Sequence, residues 1–236
     1  MIRVVIQGEE GSNSSVAARQ LFGPEVALVC CASFAEAFAA LCGEEIAVLP
    51  FENSTAGLVP PVFERLIAEP ALYVVDHTRV SIRFVAAAKQ GTSRIERILA
   101  HPMAAAQCQR FLKRVGWQVI EAHDTAGAAR LVSERDDLAS AALCPAAAAT
   151  AYGLRVIVAH CGDDPAAVTR FFAVQKTPPR VDVRHDRALV LSTDPSRLQT
   201  LRVHGGSLIE LAVGGHAVQL AAGERLLGSY RDSRPG

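Results

Sequence analysis

The sequence predicts an α/β protein. Apolar runs of strand length alternate with segments of helical period, and short polar clusters interrupt the pattern at strand ends. Half of the 236 residues are hydrophobic and 20% are charged, enough to build a sizeable core and to exclude disorder over most of the length. That length suits one large domain, or a main domain of about 180 residues with a small appendage.

The elements follow in order. Arg3–Gln7 reads as a strand, and Ser14 is placed to cap a helix running through Phe22 and ended by Gly23-Pro24. Glu25–Val29 is the second strand. Ser33 and Glu36 form an S-x-x-E capping box opening a helix over Phe34–Leu41, stopped at Gly43. Ile46–Pro50 is a third strand, closed by the polar turn Glu52-Asn53-Ser54. Tyr73–Val75 and Val80–Ala87 read as extended, and Arg97–Ala100 as a short strand running into His101-Pro102. Proline is tolerated in a helix's first turn, so Pro102–Val115 is predicted as one helix. Val119–Ala122 is a strand, Thr125–Glu134 a helix, Ser140–Leu143 a strand and Pro145–Ala151 a helix. Leu154–Val158 and Arg170–Val174 are extended, and no internal repeat is present. Lys176–Asp186, with two prolines and five charges, is the predicted linker. Beyond it Ala188–Ser192, Leu208–Val213 and Ala217–Ala221 suggest a few strands, a piece too small to fold without docking on the main domain or a second subunit.

Composition narrows the function classes. Lys plus Arg equals Asp plus Glu at 24 each, so no basic surplus favours nucleic acid or an anionic membrane. Any anion must be held by local groups. The apolar runs are too short to cross a bilayer, and MIRVVIQGEEG does not read as a secretory signal. The six cysteines form no CxxC pair and no metal spacing with histidine. They read as reduced thiols of a cytoplasmic protein, mostly packing as small apolar groups.

Four polar clusters fall where open α/β sheets place ligands. Gly8-Glu9-Glu10-Gly11-Ser12-Asn13-Ser14 reads either as a capped strand–helix turn or as a helix N-terminus that attracts a carboxylate. It has no Gly-Lys-Ser/Thr and is not a P-loop. Pro50-Phe51-Glu52-Asn53-Ser54-Thr55-Ala56-Gly57 suits a grip on a small polar ligand, or a plain turn with an Asx cap. In His101-Pro102-Met103-Ala104-Ala105-Ala106-Gln107-Cys108, His101 is either a cap or a ligand group, and Gln107 lies on the Met103 face of the expected helix. Cys108 lacks the histidine–acid pattern of a nucleophile. In Asp163-Asp164-Pro165-Ala166-Ala167-Val168-Thr169-Arg170-Phe171, a hydroxyl donor precedes a fork-shaped cation suited to carboxylates. The two aspartates read as turn caps.

Together these clusters say more than each alone. G-x-E-G-x-x-S, P-x-E-N-S-x-x-G, H-P-x-A-x-x-Q-C, D-T-A-x-x-A and T-R-F occur in that order, and over about residues 1–175 the chain resembles the prephenate dehydratase family. Asp124–Ala129 and Tyr152-Gly153-Leu154 fit the same pattern, and Leu227-Gly228-Ser229-Tyr230 resembles the closing strand of the ACT regulatory domain. The resemblance implies a two-lobed, periplasmic-binding-protein-like (type II) α/β catalytic domain over 1–178. One lobe would span about 1–76 plus 160–178 and the other about 77–159. Residues 187–236 would form a small, truncated α+β ACT-like segment that has lost phenylalanine control and assists dimerisation. It also implies a homodimer or homotetramer with no metal or organic cofactor. The reaction would be decarboxylation of prephenate with loss of its ring hydroxyl, giving phenylpyruvate.

Carried over residue by residue, the resemblance makes Thr169 the donor to the departing hydroxyl. Arg170 would pair with a carboxylate or orient the Thr169 loop. Asn53 and Gln107 would hold hydroxyl and carboxylate oxygens, and Ser12, Ser14 and Ser54 would be further donors. His101 and Phe171 would line the substrate site, and Glu52 would brace its loop or the arginine. The chain departs from the family pattern at Ala100, Ala167 and Met103, where Ser, Asn and Gln are usual. The same scaffold admits arogenate as substrate, decarboxylation without dehydration, or a non-catalytic two-lobed binder.

Overall fold

The computed structural model describes residues 3–178, 187–192, 202–204, 208–212, 220 and 224–231. The first sheet grows from β1 (Arg3–Gln7), β2 (Ala27–Cys31) and β3 (Ile46–Asn53), which are mutually parallel in the order β2-β1-β3. Parallel neighbours need crossover helices, here α1 (Asn13–Phe22) and α2 (Phe34–Ala39). The short β4 (Gly57–Leu58) folds back on β3, and α3 (Pro60–Ala68) leads to β5 (Tyr73–Ser81).

The chain then crosses to a second sheet, formed by β6 (Phe84–Ala88), β7 (Arg97–Ala100), β8 (Gln118–Glu121), β9 (Ser140–Pro145) and β10 (Arg155–Val158) in the order β10-β6-β9-β7-β8. Its helices are α4 (Pro102–Ala106), α5 (Gln109–Val115), α6 (Thr125–Glu134) and α7 (Ala146–Ala151). The chain returns as β11 (Val168–Gln175), which inserts antiparallel between β3 and β5. Both sheets thus hold three parallel strands in the order 2-1-3, followed by an antiparallel strand that arrives from the other lobe. This is the two-lobed type II architecture. The outward crossing lies after Ser81, and at the junction Ile82 N–H donates to the Ala167 carbonyl at 2.8 Å while Cys161 N–H donates to that of Phe84 at 2.9 Å.

The C-terminal strands β12 (Arg187–Leu191), β13 (Arg202–His204), β14 (Leu208–Ala212) and β15 (Arg225–Tyr230) extend the first sheet to ten strands in the order β13-β14-β12-β15-β5-β11-β3-β1-β2, with β4 on the side. Residues 179–186 of the expected linker and all but residue 220 of the expected strand at 217–221 lie outside the described residues.

Several sequence expectations are corrected. Ser12, not Ser14, caps α1: its Oγ accepts from Ser15 N–H at 3.2 Å. The expected helix over Pro102–Val115 breaks at Gln107-Cys108, because the Asp163 carboxylate accepts from the N–H groups of Gln109 (3.0 Å) and Arg110 (3.1 Å) and caps a new start. The second strand begins at Ala27 rather than Glu25. α3, to which the sequence pattern assigns no element, opens on Pro60-Pro61, a pair that suits a first turn. Half of the cysteines, Cys108, Cys144 and Cys161, are buried as small apolar groups, and all six are free thiols. Among the described residues no helix is long and apolar enough to cross a membrane.

Candidate active site

Asn53 ends β3 directly opposite Thr169 on β11. Its Oδ1 accepts from the N–H groups of Thr55 (2.9 Å) and Ala56 (2.8 Å), which fixes the amide orientation. The Nδ2 therefore faces Thr169 and donates to Oγ1 at 2.8 Å. Because the threonine oxygen accepts there, its own proton is left for another acceptor. Asn53 and Thr169 are 9% and 6% exposed, and in such a medium the donated bond is strengthened. Ser54 staples the same turn to the start of β11. Its Oγ accepts from Val168 N–H at 3.0 Å, and its N–H donates to the Val168 carbonyl at 2.9 Å.

Beside this pair, at the crossing between the lobes, lies a cavity of about 230 Å³ lined by Thr55, Gln107, Asp163 and Asp164 on its polar side and by Ile82, Phe84, Ala106 and Ala167 on its apolar side. Gln107 is the C-terminal cap of α4, and its carbonyl accepts from Asp163 N–H at 2.7 Å. Ala100 and Ala167 pack with Ile82 and Phe84 in one apolar cluster, so the two positions where the family pattern carries polar side chains here complete a hydrophobic wall. Asp164 accepts from Ala166 N–H at 2.8 Å and from Thr55 Oγ1 at 3.4 Å. Asp164 is thus the expected turn cap, whereas the Asp163 carboxylate caps the start of α5 instead of its own turn.

The remaining expected site residues are spread further. Ser12 and Ser14 are buried at the N-terminus of α1. His101 caps α4, its Nδ1 accepting from Met103 N–H at 3.2 Å. Burial holds its pKa below the ordinary value, against the opposing charge of Asp124. Side chains alternate along β11, and this separates Thr169 from Arg170. Phe171, two residues after Thr169, packs in the cluster beneath α1, whereas Phe172, two after Arg170, packs with the α2 and α3 side. Glu52, opposite Arg170, shares that second face, and the two line a separate cavity of about 290 Å³ with Ser54, Arg79 and Val168. Arg170 Nη2 donates to Tyr230 Oη at 2.7 Å, and its Nε donates to His77 Nδ1 at 3.4 Å. Burial pushes the Cys108 thiol up to about 12, so it stays protonated in the core.

Sequence reasoning missed a cluster that joins the lobes. Glu9, in the turn after β1, accepts from Arg130 Nε (2.8 Å) and Nη2 (3.0 Å) on α6, and from Tyr152 Oη (2.9 Å). The Arg130 hydrogen bonds, followed by that from Tyr152, hold the Glu9 carboxyl below its usual range despite burial. Burial and the bond to Glu9 raise the Tyr152 phenol. Next to this cluster Gly11, at φ +80°, approaches α7 so closely that a Cβ would lie 2.5 Å from Ala148 Cα. No local pattern reports a partner 121 residues away. Among the described residues no group of three or more His, Cys, Asp or Glu is placed to hold a metal ion.

Comparison with known proteins places the chain in a family. Arogenate dehydratase 2 of Petunia hybrida is 33% identical over 199 residues, covering 82% of this chain and 50% of that protein. The chain spans about half the length of the curated relatives it matches. The crystal structure of prephenate dehydratase from Arthrobacter aurescens in complex with L-Phe superposes with a TM-score of 0.79 at 25% identity, covering 100% of this chain and 92% of that one. A structure described as GqqA, a novel type of quorum quenching acylase, superposes with a TM-score of 0.80 at 25% identity, covering 98% of each chain. The family model for prephenate dehydratase matches residues 4–179. The chain belongs to the prephenate dehydratase family.

Proposed function

We propose that the protein converts prephenate to phenylpyruvate, releasing carbon dioxide and water. The observation that carries this reading is the buried hydrogen bond from Asn53 Nδ2 to Thr169 Oγ1. In the reaction, the electron pair of the bond to the ring carboxylate moves into the ring as carbon dioxide departs. The opposite ring carbon releases its hydroxyl together with the C–O bonding pair. That hydroxyl needs one proton to leave as water. Thr169 supplies it, and a proton from solvent restores the threonine hydroxyl. Aromatisation provides the driving force, so no cofactor is called for.

A threonine hydroxyl is a weak acid in water, so its contribution depends on placement more than on acidity. The Asn53 donor steadies the oxygen as the proton departs. Gln107 holds a substrate oxygen from the cavity wall, and the apolar side formed by Ile82, Phe84 and Ala167 keeps water from the reacting ring. Ser12, Ser14, Ser54 and His101 complete the polar surroundings, while Phe171 supports Thr169 from the core. The contacts of Arg170 with Tyr230 and His77 favour its role in orienting the Thr169 strand over direct pairing with a substrate carboxylate. Glu52 braces the same face. The reading includes a cytoplasmic homodimer or homotetramer, a catalytic domain over 1–178, and a shortened ACT-like unit over 187–236.

Arogenate is a second substrate reading, favoured by the 33% identity to a Petunia protein named arogenate dehydratase. Incubation with prephenate at neutral pH, with the product identified by absorbance and mass, tests the proposal. Phenylpyruvate formed well above the acid-sensitive background is the expected result. A decarboxylated product that keeps its hydroxyl would overturn dehydration, and turnover of arogenate alone would move the assignment to the second substrate.

A further inference from the structure

We infer that Tyr230 is a positioning residue for this reaction: it holds the Arg170 guanidinium, and through it the segment of β11 that carries Thr169. The inference rests on the reading of Thr169 as proton donor.

The C-terminal strand is fastened to the first lobe at two points that both precede the tyrosine. At one, Gly228 lies opposite Val74 of β5, where a Cβ would sit 1.8 Å from the Val74 carbonyl oxygen, so only glycine permits the approach. At the other, Arg225 Nη2 donates to the carbonyls of Leu66 (2.8 Å) and Ile67 (3.0 Å) in the last turn of α3. With the strand so placed, the Tyr230 ring is fully buried, edge-on to His77 at 4.7 Å and tilted toward Phe172 at 6.0 Å. Its hydroxyl oxygen accepts from Arg170 Nη2 at 2.7 Å, and the guanidinium lies 4.9 Å from the Phe172 ring centroid and 5.4 Å from that of Tyr230. A cation only 4% exposed is thereby fixed by a directional hydrogen bond and two ring faces.

This grip matters because of where the backbone ladder is irregular. The pairing of β11 with β3 shifts register between Arg170 and Phe171, immediately after the Thr169–Asn53 pair. The shift, with its extra residue on β3, interrupts the ladder only on the side where Asn53 lies, while β11 stays in regular register with β5 from Val168 to Ala173. The position of Thr169 Oγ1 then depends on how its neighbour's side chain is anchored on the opposite face. A hydroxyl donor displaced by a fraction of an ångström loses much of its rate contribution while the substrate still binds. Tyr230 acts through Arg170 and Thr169; it is not itself a group that meets substrate.

The test is Tyr230→Phe, which keeps the ring, the Gly228 approach and the Arg225 anchor and removes only the hydroxyl. Kinetics with prephenate and arogenate should show kcat lowered about tenfold, with KM within about twofold and the melting temperature shifted by no more than a few degrees. In a Thr169→Ala background, the same substitution should change the residual single-turnover rate by less than about twofold, since the group it positions is gone. An unchanged kcat in Tyr230→Phe alone overturns the positioning role and leaves the dehydratase reading standing. So does a tenfold loss that persists without the Thr169 hydroxyl. A wild-type chain that turns over neither substrate overturns the dehydratase reading, and the positioning role falls with it.

Discussion

In the first lobe, the space between sheet and helices is filled by Phe38, Leu41, Leu49, Phe51, Leu66, Leu72, Phe172 and Tyr230. In the second, the layer beneath α6 and α7 is rich in alanine (Ala87, Ala122, Ala126, Ala128, Ala129, Ala142, Ala148 and Ala149) beside Val85, Leu99, Val132 and Leu154, while the other face of that lobe packs Ile82, Phe84, Ile98, Phe111 and Leu143. The strand topology is the same, yet the first of these layers is packed chiefly by large side chains and the second chiefly by small ones. Large side chains supply burial on the order of 1.5–3 kcal/mol each. An alanine layer supplies little area and depends on interdigitation without voids. The first lobe, which also takes up the C-terminal strands, is thus built as the rigid support for the Asn53–Thr169 pair. The second is held to it by the two crossing segments and by the Glu9 cluster.

The sharpest way to break this comparison is to empty one core and overfill the other. Phe172 is fully buried and stacks on Phe51 at 4.4 Å between centroids. Phe172→Ala should lower the unfolding free energy by about 3–5 kcal/mol, measured by urea denaturation. A loss below 1 kcal/mol would show that the first lobe collapses around the gap. Ala129, fully buried on α6, offers the converse. Ala129→Leu should cost about 1–3 kcal/mol through overpacking, read as a lower urea midpoint, and a neutral outcome would mean that this layer is looser than its alanines indicate.

A smaller effect joins the two lobes. The Glu9 carboxyl has its pKa lowered in the folded protein, chiefly by the Arg130 hydrogen bonds. Its contribution is therefore fully present above the unfolded carboxyl value of about 4.3. It disappears as pH falls through the lower folded value. The pair is partly open to water, so the contribution is about 1 kcal/mol. Glu9→Gln should lose that much at pH 7 and show a shallower fall in stability below pH 4 than the wild type. Parallel acid profiles for the two proteins would remove Glu9 from the account.

The contrast between lobes also marks what was legible in the sequence. β1, β7 and α6 fall where local pattern put them, because a strand-length apolar run, or an Asp124 cap ahead of a helical period, is decided within a few residues. Asn53 and Thr169 stand out as polar residues at strand ends and Gln107 as one inside the expected helix, their roles coming from the family resemblance; the fold places Asn53 against Thr169 and Gln107 at the adjoining cavity. The break at Cys108 was not legible, since the cap that causes it, Asp163, lies 54 residues from Gln109. Nor was the separation of Arg170 from Thr169. The T-R pair reads as one site, but strand alternation turns its members to opposite faces, and the partner that claims Arg170 is 60 residues away. The Glu9–Arg130 bridge escapes for the same reason: the fold, not the local chain, selects the partner.

The central claim is that the Thr169 hydroxyl, seated by Asn53, delivers the proton that releases the ring hydroxyl. The most direct measurement pairs turnover with binding for Thr169→Ala: phenylpyruvate formation from prephenate, and prephenate affinity by calorimetry on the same preparation. The account predicts a kcat lowered by about 10²–10⁴-fold with affinity kept within a few-fold. Turnover that survives the substitution, or turnover and affinity lost together, would contradict it.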